Sequence, residues 1–546
     1  MYERLFISLT IPLGLLAAAA AVVGAAWWWI GMAVPMPAAP LVAGEKLHCV
    51  SYAPFRGDQN PLSEGTHIPA WQIDEDLARL KSLTDCVRTY SIEHGLEQIP
   101  EIARKHGMKV IHGLWLSSIA AKNEAQIATT ISLAKRFPDV IQTVVVGNEV
   151  LLRGEISATD LAGIIRRVKA QVSMPVTYAD VWEFWLRHRE IYDAVDFITI
   201  HILPYWEDFP IPANEAVAHV DSIRRRMVAA FPNKDILIGE TGWPSAGRMR
   251  EGALPSLANQ ALVIQGVLAL AKRDNFRINV IEAFDQPWKR RLEGTVGGYW
   301  GLFDARTREQ KFPWGVAVSN HPHWQRQAIA GILLAGLVFA AAGIARLRLT
   351  GSLTASIGAW LAVAVNAAVA GIFIILATEL MFIESLGLGG WIRSVALVLL
   401  AAAIPPVASA AVMQKTTIPS FAVVLATFRP ESRRPLAIAL GLLLVALTLV
   451  AIQVALGLVF DPRYKDFPYA PLSAAVTPFL LLSLTTAAPG RRHGAAEIVS
   501  AATLVLSAVY IVFNETLANW QSVWFCALIV ALAVILFRSR DAAAPG

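Results

Sequence analysis

Two stretches of the chain place a carboxylate directly after an apolar, β-branched run. "VVVGNEVLLRGE" (Val144–Glu155) delivers Asn148 and Glu149, and "ILIGETGWPSAG" (Ile236–Gly247) delivers Glu240. A lone Glu at a strand end is ordinarily a solvated loop residue. Two of them in one cleft are a reaction centre: one carboxylic acid protonates a departing glycosidic oxygen, while the other attacks the anomeric carbon or activates water. The surroundings suit a sugar. Tyr52, Tyr90, Trp115, Tyr178, Tyr205, Trp206, Trp243 and Trp288 lie at or just beyond the ends of other strand-like runs, and aromatic faces stack on the apolar faces of pyranose rings. Trp300 follows a little later. Glu282 and Asp285 form a further acidic group, as candidate substrate contacts or as partners of Lys289, Arg290 or Arg291. The acidic run Asp74–Asp76 opens a helical segment, where acids suit the helix dipole. It is not read as a metal site, and no metal or other cofactor is expected.

The elements that must position these residues are legible as alternating patterns. Eight apolar runs, among them "KLHCVSYAP", "DCVRTYS", "MKVIHGLWL", "VDFITIHILPYW" and "INVIEAFDQPW", are separated by amphipathic segments such as "IDEDLARLKSL" and "TDLAGIIRRVKAQV". Near-continuous apolar strands are those buried on both faces. Eight β-then-α units over residues 46–325 predict an α/β fold, a parallel (β/α)8 barrel. Its active site stands at the C-terminal ends of the strands, so Glu149 after the fourth strand and Glu240 after the seventh face one mouth.

The rest of the chain is of another kind. Of 546 residues 55% are hydrophobic and 16% charged, too apolar for a wholly soluble protein. Residues 1–32 read as an N-terminal transmembrane anchor, longer than a signal-peptide core, with Trp27, Trp28 and Trp29 in the interfacial belt. Residues 33–45 read as a linker. Residues 326–538 read as an all-α polytopic domain of about seven helices, near 327–345, 355–381, 392–413, 436–460, 469–488, 495–514 and 520–537. Residues 539–546 form a cytoplasmic tail. Alternate loops, "RLRL", "QKTTIPSFAVVLATFRPESRRP", "GRRHG" and "RSR", are basic, whereas those between them are mixed or acidic. The positive-inside rule then puts both termini in the cytoplasm and the barrel outside. The formal charge of +5 is a topology signal and gives no reason to expect nucleic acid. Asn366 and Glu379 are intramembrane polar candidates. Cys49 and Cys86 fall on strands of the exported domain, where a disulfide is permitted; two buried free thiols are the expected state. Cys526 lies in the last span.

The motifs "VVVGNEVLLRG" and "ILIGETGWPSAG", in this order, resemble the acid/base and nucleophile motifs of family 17 glycoside hydrolases, over about half the chain. The resemblance implies a retaining β-1,3-glucan-active enzyme with Glu149 as acid/base, Glu240 as nucleophile and Asn148 on the sugar 2-hydroxyl. "IEAFDQPWK" and "GGYWGLFD" depart from the plant endoglucanases and are more similar to glucanosyltransferases. Joined to a membrane half, the architecture resembles bacterial membrane-bound proteins associated with cyclic or branched β-glucan synthesis. It implies a multi-pass inner-membrane protein, a periplasmic catalytic domain, β-glucan as substrate and a membrane β-glucan synthase as candidate partner. Two readings share these residues: a transglycosylase that elongates, branches or cyclises glucan, and a glucanase that trims it. A glucan-binding scaffold is disfavoured because binding alone does not need both carboxylates. Trp243, Trp288 and Trp300 are the expected acceptor-side contacts.

Overall fold

The computed structural model describes residues 2–42, 44–426, 435–485 and 494–538. The chain divides into two compact units, Val34–Val318 and the combination of Met1–Ala33 with Ser319–Gly546.

The first unit is a closed parallel barrel with strands in sequence order: β1 Cys49–Ser51, β2 Cys86–Arg88, β3 Lys109–Leu114, β4 Ile141–Asn148, β5 Val176–Val181, β6 Ile198–His201, β7 Ile236–Thr241 and β8 Arg277–Val280. All eight expected strands form. Each of the first seven is followed by a helix, from Ala70–Leu80 after β1 to Leu257–Arg273 after β7. The eighth unit closes with the four-residue helix Arg290–Glu293. Serine caps mark two helix starts: Ser157 Oγ accepts from Asp160 N, and Ser256 Oγ from Asn259 N, each satisfying a donor that the first turn leaves open. Strand side chains alternate between two apolar layers. Ile111, Val145, Ala179 and Leu237 meet across the barrel interior, while Val110, Val144, Val176 and Ile238 pack outward against the helices. Residues read as a linker join this unit, since Val34 and Val318 exchange backbone hydrogen bonds.

One expectation is corrected here. Cys49 and Cys86 are joined by a disulfide, with Cα atoms 4.5 Å apart. Pairing of Val50 with Val87 sets the preceding residues of β1 and β2 side by side. Both point into the barrel, so the thiols face one another.

The second unit is helical. Among the described residues, seven helices are long and apolar enough to cross a membrane: Thr10–Ile30, Trp324–Thr350, Ile357–Glu384, Gly387–Gln414, Pro435–Phe460, Ala495–Glu515 and Trp520–Arg538. A shorter apolar helix, Tyr469–Thr485, has 17 residues, about 26 Å at 1.5 Å per residue. These helices overlap the segments read as spans, of which residues 486–488 lie outside the described residues. The loop residues 427–434 and 486–493 and the tail 539–546 lie outside the described residues. Gly331 and Gly371 permit one close helix crossing, because a Cβ on either would stand 2.3 or 2.5 Å from the other's carbonyl oxygen; small residues of this kind let apolar helices approach. Trp27 is buried and its Nε1 donates to Gly371 O at 3.4 Å, so it packs within the bundle while Trp28 and Trp29 are exposed. Asn366 donates to Ser409 Oγ at 3.2 Å, and Glu379 pairs with Gln327 and His321.

Candidate active site

The C-terminal ends of β2, β4, β6 and β7 converge on a charged centre. Cys86 faces the barrel interior, so Arg88, two residues on, faces it too. Arg88 is 1% exposed, and its Nη1 donates to Glu240 Oε1 at 2.7 Å and to Gly239 O at 3.0 Å. Its Nη2 donates to Asn148 Oδ1. Tyr90, next on the same face, donates to Glu240 Oε1 at 2.9 Å. His201 stands between the two carboxylates, with Nδ1 2.8 Å from Glu149 Oε1 and Nε2 3.6 Å from Glu240 Oε1.

Glu149 reaches this centre through an unusual backbone. Gly147 has φ 86° and Glu149 φ 55°, the left-handed region that non-glycine residues rarely occupy. The turn is held by Glu149 N donating to Ala179 O at 2.8 Å. Beyond it, Asp180 Oδ2 accepts from Leu151 N and from Tyr178 Oη. Burial pushes the Asp180 carboxyl up to about 6.

One donor atom each from Glu149, His201 and Glu240 lies within 4.8 Å of the others. Such a set can be read as a cation site, but Arg88 already supplies positive charge to the same Glu240 oxygen. One oxygen of Glu149 lies within 4.8 Å of one oxygen of Glu240, short of the ~6.5–9.5 Å gap of inverting glycosidases. Burial alone would raise the Glu240 pKa. The charges of His201, Arg88 and Lys289 and the Tyr90 hydroxyl outweigh it and hold the carboxyl below its usual range. Glu240 is therefore ionised and 5% exposed, whereas the Glu149 side chain is 24% exposed.

The other expected contacts separate by burial. Trp288 is half-buried, edge-on to Phe55. Trp243 and Trp300 are 0% and 2% exposed; both pack edge-on against Tyr205, and Trp243 Nε1 donates to Leu254 O. They offer no face for stacking, which corrects their placement as acceptor contacts. Tyr52, Tyr178 and Tyr205 are buried too. Tyr52 donates to Asp76 and Tyr205 to Arg248 O, so these rings brace loops. Asp76 itself pairs with Arg56 and Arg308, an ion-pair role for the acidic run. Glu282 accepts from Lys289 Nζ at 2.9 Å, and burial raises it to about 7. Asp285 pairs with Lys311 at 2.6 Å and is raised to about 6, again by burial. Both are internal ion pairs, the second with a lysine the sequence did not single out.

Arg88 and His201 were missed. The signal was present: each is a polar residue at an inward position of an otherwise apolar strand, "CVRTY" and "ITIHI".

Comparison with known proteins agrees with this geometry. Residues 49–301 match the BtgE/BtgC glycoside hydrolase domain, so the barrel is similar to a glycoside hydrolase domain. The probable beta-glucosidase btgE of Aspergillus fumigatus is 31% identical over 225 residues, covering 40% of this chain and 39% of that protein. The chain therefore spans about two-fifths of that relative's length. Glucan 1,3-beta-glucosidase of Candida albicans is 26% identical over 265 residues, covering 44% of this chain and 86% of that protein. Among solved structures, a family 17 beta-1,3-glucanosyltransferase from Rhizomucor miehei is 24% identical, with a TM-score of 0.44 over 50% of this chain and 97% of its own.

Proposed function

We propose that this protein is a membrane-anchored, retaining β-glucan transglycosylase acting on β-1,3-glucan. The observation that carries the reading is the close pair of carboxylates with unequal surroundings, Glu240 ionised among cations and Glu149 partly open to solvent. Glu240 attacks the anomeric carbon, and Glu149 protonates the departing oxygen. A glycosyl ester forms on Glu240. Glu149, now a base, takes the proton from the incoming hydroxyl, the ester bond breaks, and configuration is retained. Asn148, fixed by Arg88, is placed for the 2-hydroxyl. The apolar helices hold the enzyme in the inner membrane with the barrel on the periplasmic side. Tethering is the reason to prefer transfer, because it raises the effective concentration of a chain emerging from a membrane synthase.

The test is a time-resolved mass spectrum of products from β-1,3-linked oligosaccharides. Products longer than, branched from or cyclised from the donor are expected, rising with acceptor concentration. Glu240→Gln abolishes turnover and leaves glucan binding. Shorter glucans alone, at high acceptor concentration, would make the protein a β-1,3-glucanase. Near-normal activity of Glu240→Gln would overturn the assignment of the nucleophile.

A further inference from the structure

The sequence placed acceptor binding on the loops after β7 and β8, where Trp243 and Trp300 are buried and Trp288 is half-buried. A different aromatic stands against Arg153, whose Nη1 donates to Asn148 O and whose N donates to Glu149 O. In β3, Ile111 faces the barrel interior and Gly113 shares its face, and Trp115 follows just beyond the C-terminal end of the strand, the end at which the mouth lies. Gly113 pairs with Val145 and Leu114 with Val146, which sets Trp115 level with Gly147, two residues before Glu149. The Trp115 ring is half-buried.

Its orientation is held by Arg153 on the neighbouring β4 loop. The guanidinium carbon lies 4.2 Å over the indole centroid, a cation–π contact. All three guanidinium nitrogens are engaged elsewhere as well. Nε and Nη2 donate to Glu155 Oε2 at 2.9 and 2.7 Å, Nη2 also to Leu116 O at 2.7 Å, and Nη1 to Asn148 O. Arg153 N donates to Glu149 O at 3.0 Å. A planar fork pinned at this many points cannot swing away from the ring. It covers one indole face and ties that face to the Asn148-Glu149 backbone. Apolar side chains continue outward on the same two loops, with Ile119 50% and Leu152 45% exposed.

We propose that Trp115, backed by Arg153, is the stacking platform for the glucosyl residue on the leaving-group side, and therefore for the acceptor sugar that replaces it. This rests on the retaining transfer reading. The direction follows from the barrel. The anomeric carbon sits at Glu240 on β7 and the scissile oxygen at Glu149 on β4. A chain running from the first to the second passes over the end of β4, whose loop carries Arg153 against the Trp115 ring. The ligand is a β-linked glucosyl unit presenting its apolar ring face to the indole face opposite the guanidinium. Arg153 is a positioning residue.

The experiment compares the full-length wild-type protein with Trp115→Ala, Trp115→Phe and Arg153→Met. Two donors are used, a β-1,3-linked oligosaccharide and an aryl β-glucoside whose leaving group is not a sugar, over a range of laminaribiose acceptor. Trp115→Ala lowers the ratio of transfer to hydrolysis at least tenfold and raises the acceptor concentration for half-maximal transfer. It lowers oligosaccharide cleavage more than aryl-glucoside cleavage. Trp115→Phe restores most of the ratio, which a folding defect would not allow. Arg153→Met falls between the two. A Trp115→Ala protein that transfers like wild type, with the same acceptor dependence, overturns the proposal while leaving transfer intact. If wild type itself makes only shorter products, the transfer reading falls instead. The platform is then judged on KM alone: an equal change for oligosaccharide and aryl donors would overturn it.

Discussion

Arg88 and Tyr90 reach the same oxygen of Glu240, from consecutive inward positions of one strand. That arrangement makes the protonation of Glu240, the proposed nucleophile, a sum of separable contacts. A carboxyl held below its usual range stays ionised, and active, to lower pH. Removing one donor must raise its pKa and move the acid limb of kcat/KM upward. Tyr90→Phe keeps the ring over Arg88 and removes only the hydroxyl. One hydrogen bond contributes about 0.5–1.5 kcal/mol, or roughly a third to one pH unit at about 1.4 kcal/mol per unit. The acid limb of kcat/KM on a β-1,3-linked oligosaccharide should therefore rise by that amount, since this limb reports the free enzyme. An unmoved limb would mean that Glu240 is not the titrating group. Glu149, Glu240, Asn148 and Tyr90, which the sequence brought together, do meet in the structure. The buried tryptophans were not separable from substrate contacts, because an aromatic at a strand end reads the same whether it packs a loop or lines a cleft.

At the scale of elements, the eight strands were legible because strands buried on both faces are continuous apolar runs that a helix period does not mimic. Their register was not. β1 and β2 have only three residues each, and a shift by one position would send Cys49 and Cys86 to opposite faces. The disulfide therefore had to be seen, and its place has a consequence. Cys86 lies two positions before Arg88 on the same face, so the bond secures the strand that carries the guanidinium. Closing a separation of 37 residues restricts the unfolded chain by about 4 kcal/mol on the chain-entropy account. Replacing both cysteines by serine should lower the unfolding free energy of the barrel by roughly that amount in urea titration of the full-length protein. Activity should persist below the new transition, because Arg88 keeps its bonds to Glu240 and Asn148. Loss of less than about 1 kcal/mol would show that this cross-link contributes little.

At the scale of the whole molecule, the same bond bears on where the barrel resides. Disulfides persist in oxidising compartments and are rare in the cytosol, which agrees with the charge pattern of the helical half. Arg346 and Arg348 close the helix Trp324–Thr350 on what should be the cytoplasmic side, and the basic residues near 430, 491 and 539 recur after every second helix. Lys/Arg bias over short loops orients polytopic proteins. On the proposed topology, eight crossings would return the C-terminus to the side of the N-terminus and leave the barrel, between the first and second, on the other. The count depends on Tyr469–Thr485 crossing; were it to lie in the interface, the C-terminus would move to the opposite side. A fusion after Gly546 that reports only from the cytoplasm, together with a cysteine introduced at Gly65 and challenged with an impermeant maleimide in cells with a permeabilised outer membrane, separates these outcomes. The expected result is an active C-terminal reporter, labelled Gly65→Cys and unlabelled native Cys49 and Cys86. A silent reporter with Gly65→Cys still labelled would reduce the crossings to seven. A protected Gly65→Cys would place the barrel in the cytoplasm and remove the periplasmic reading.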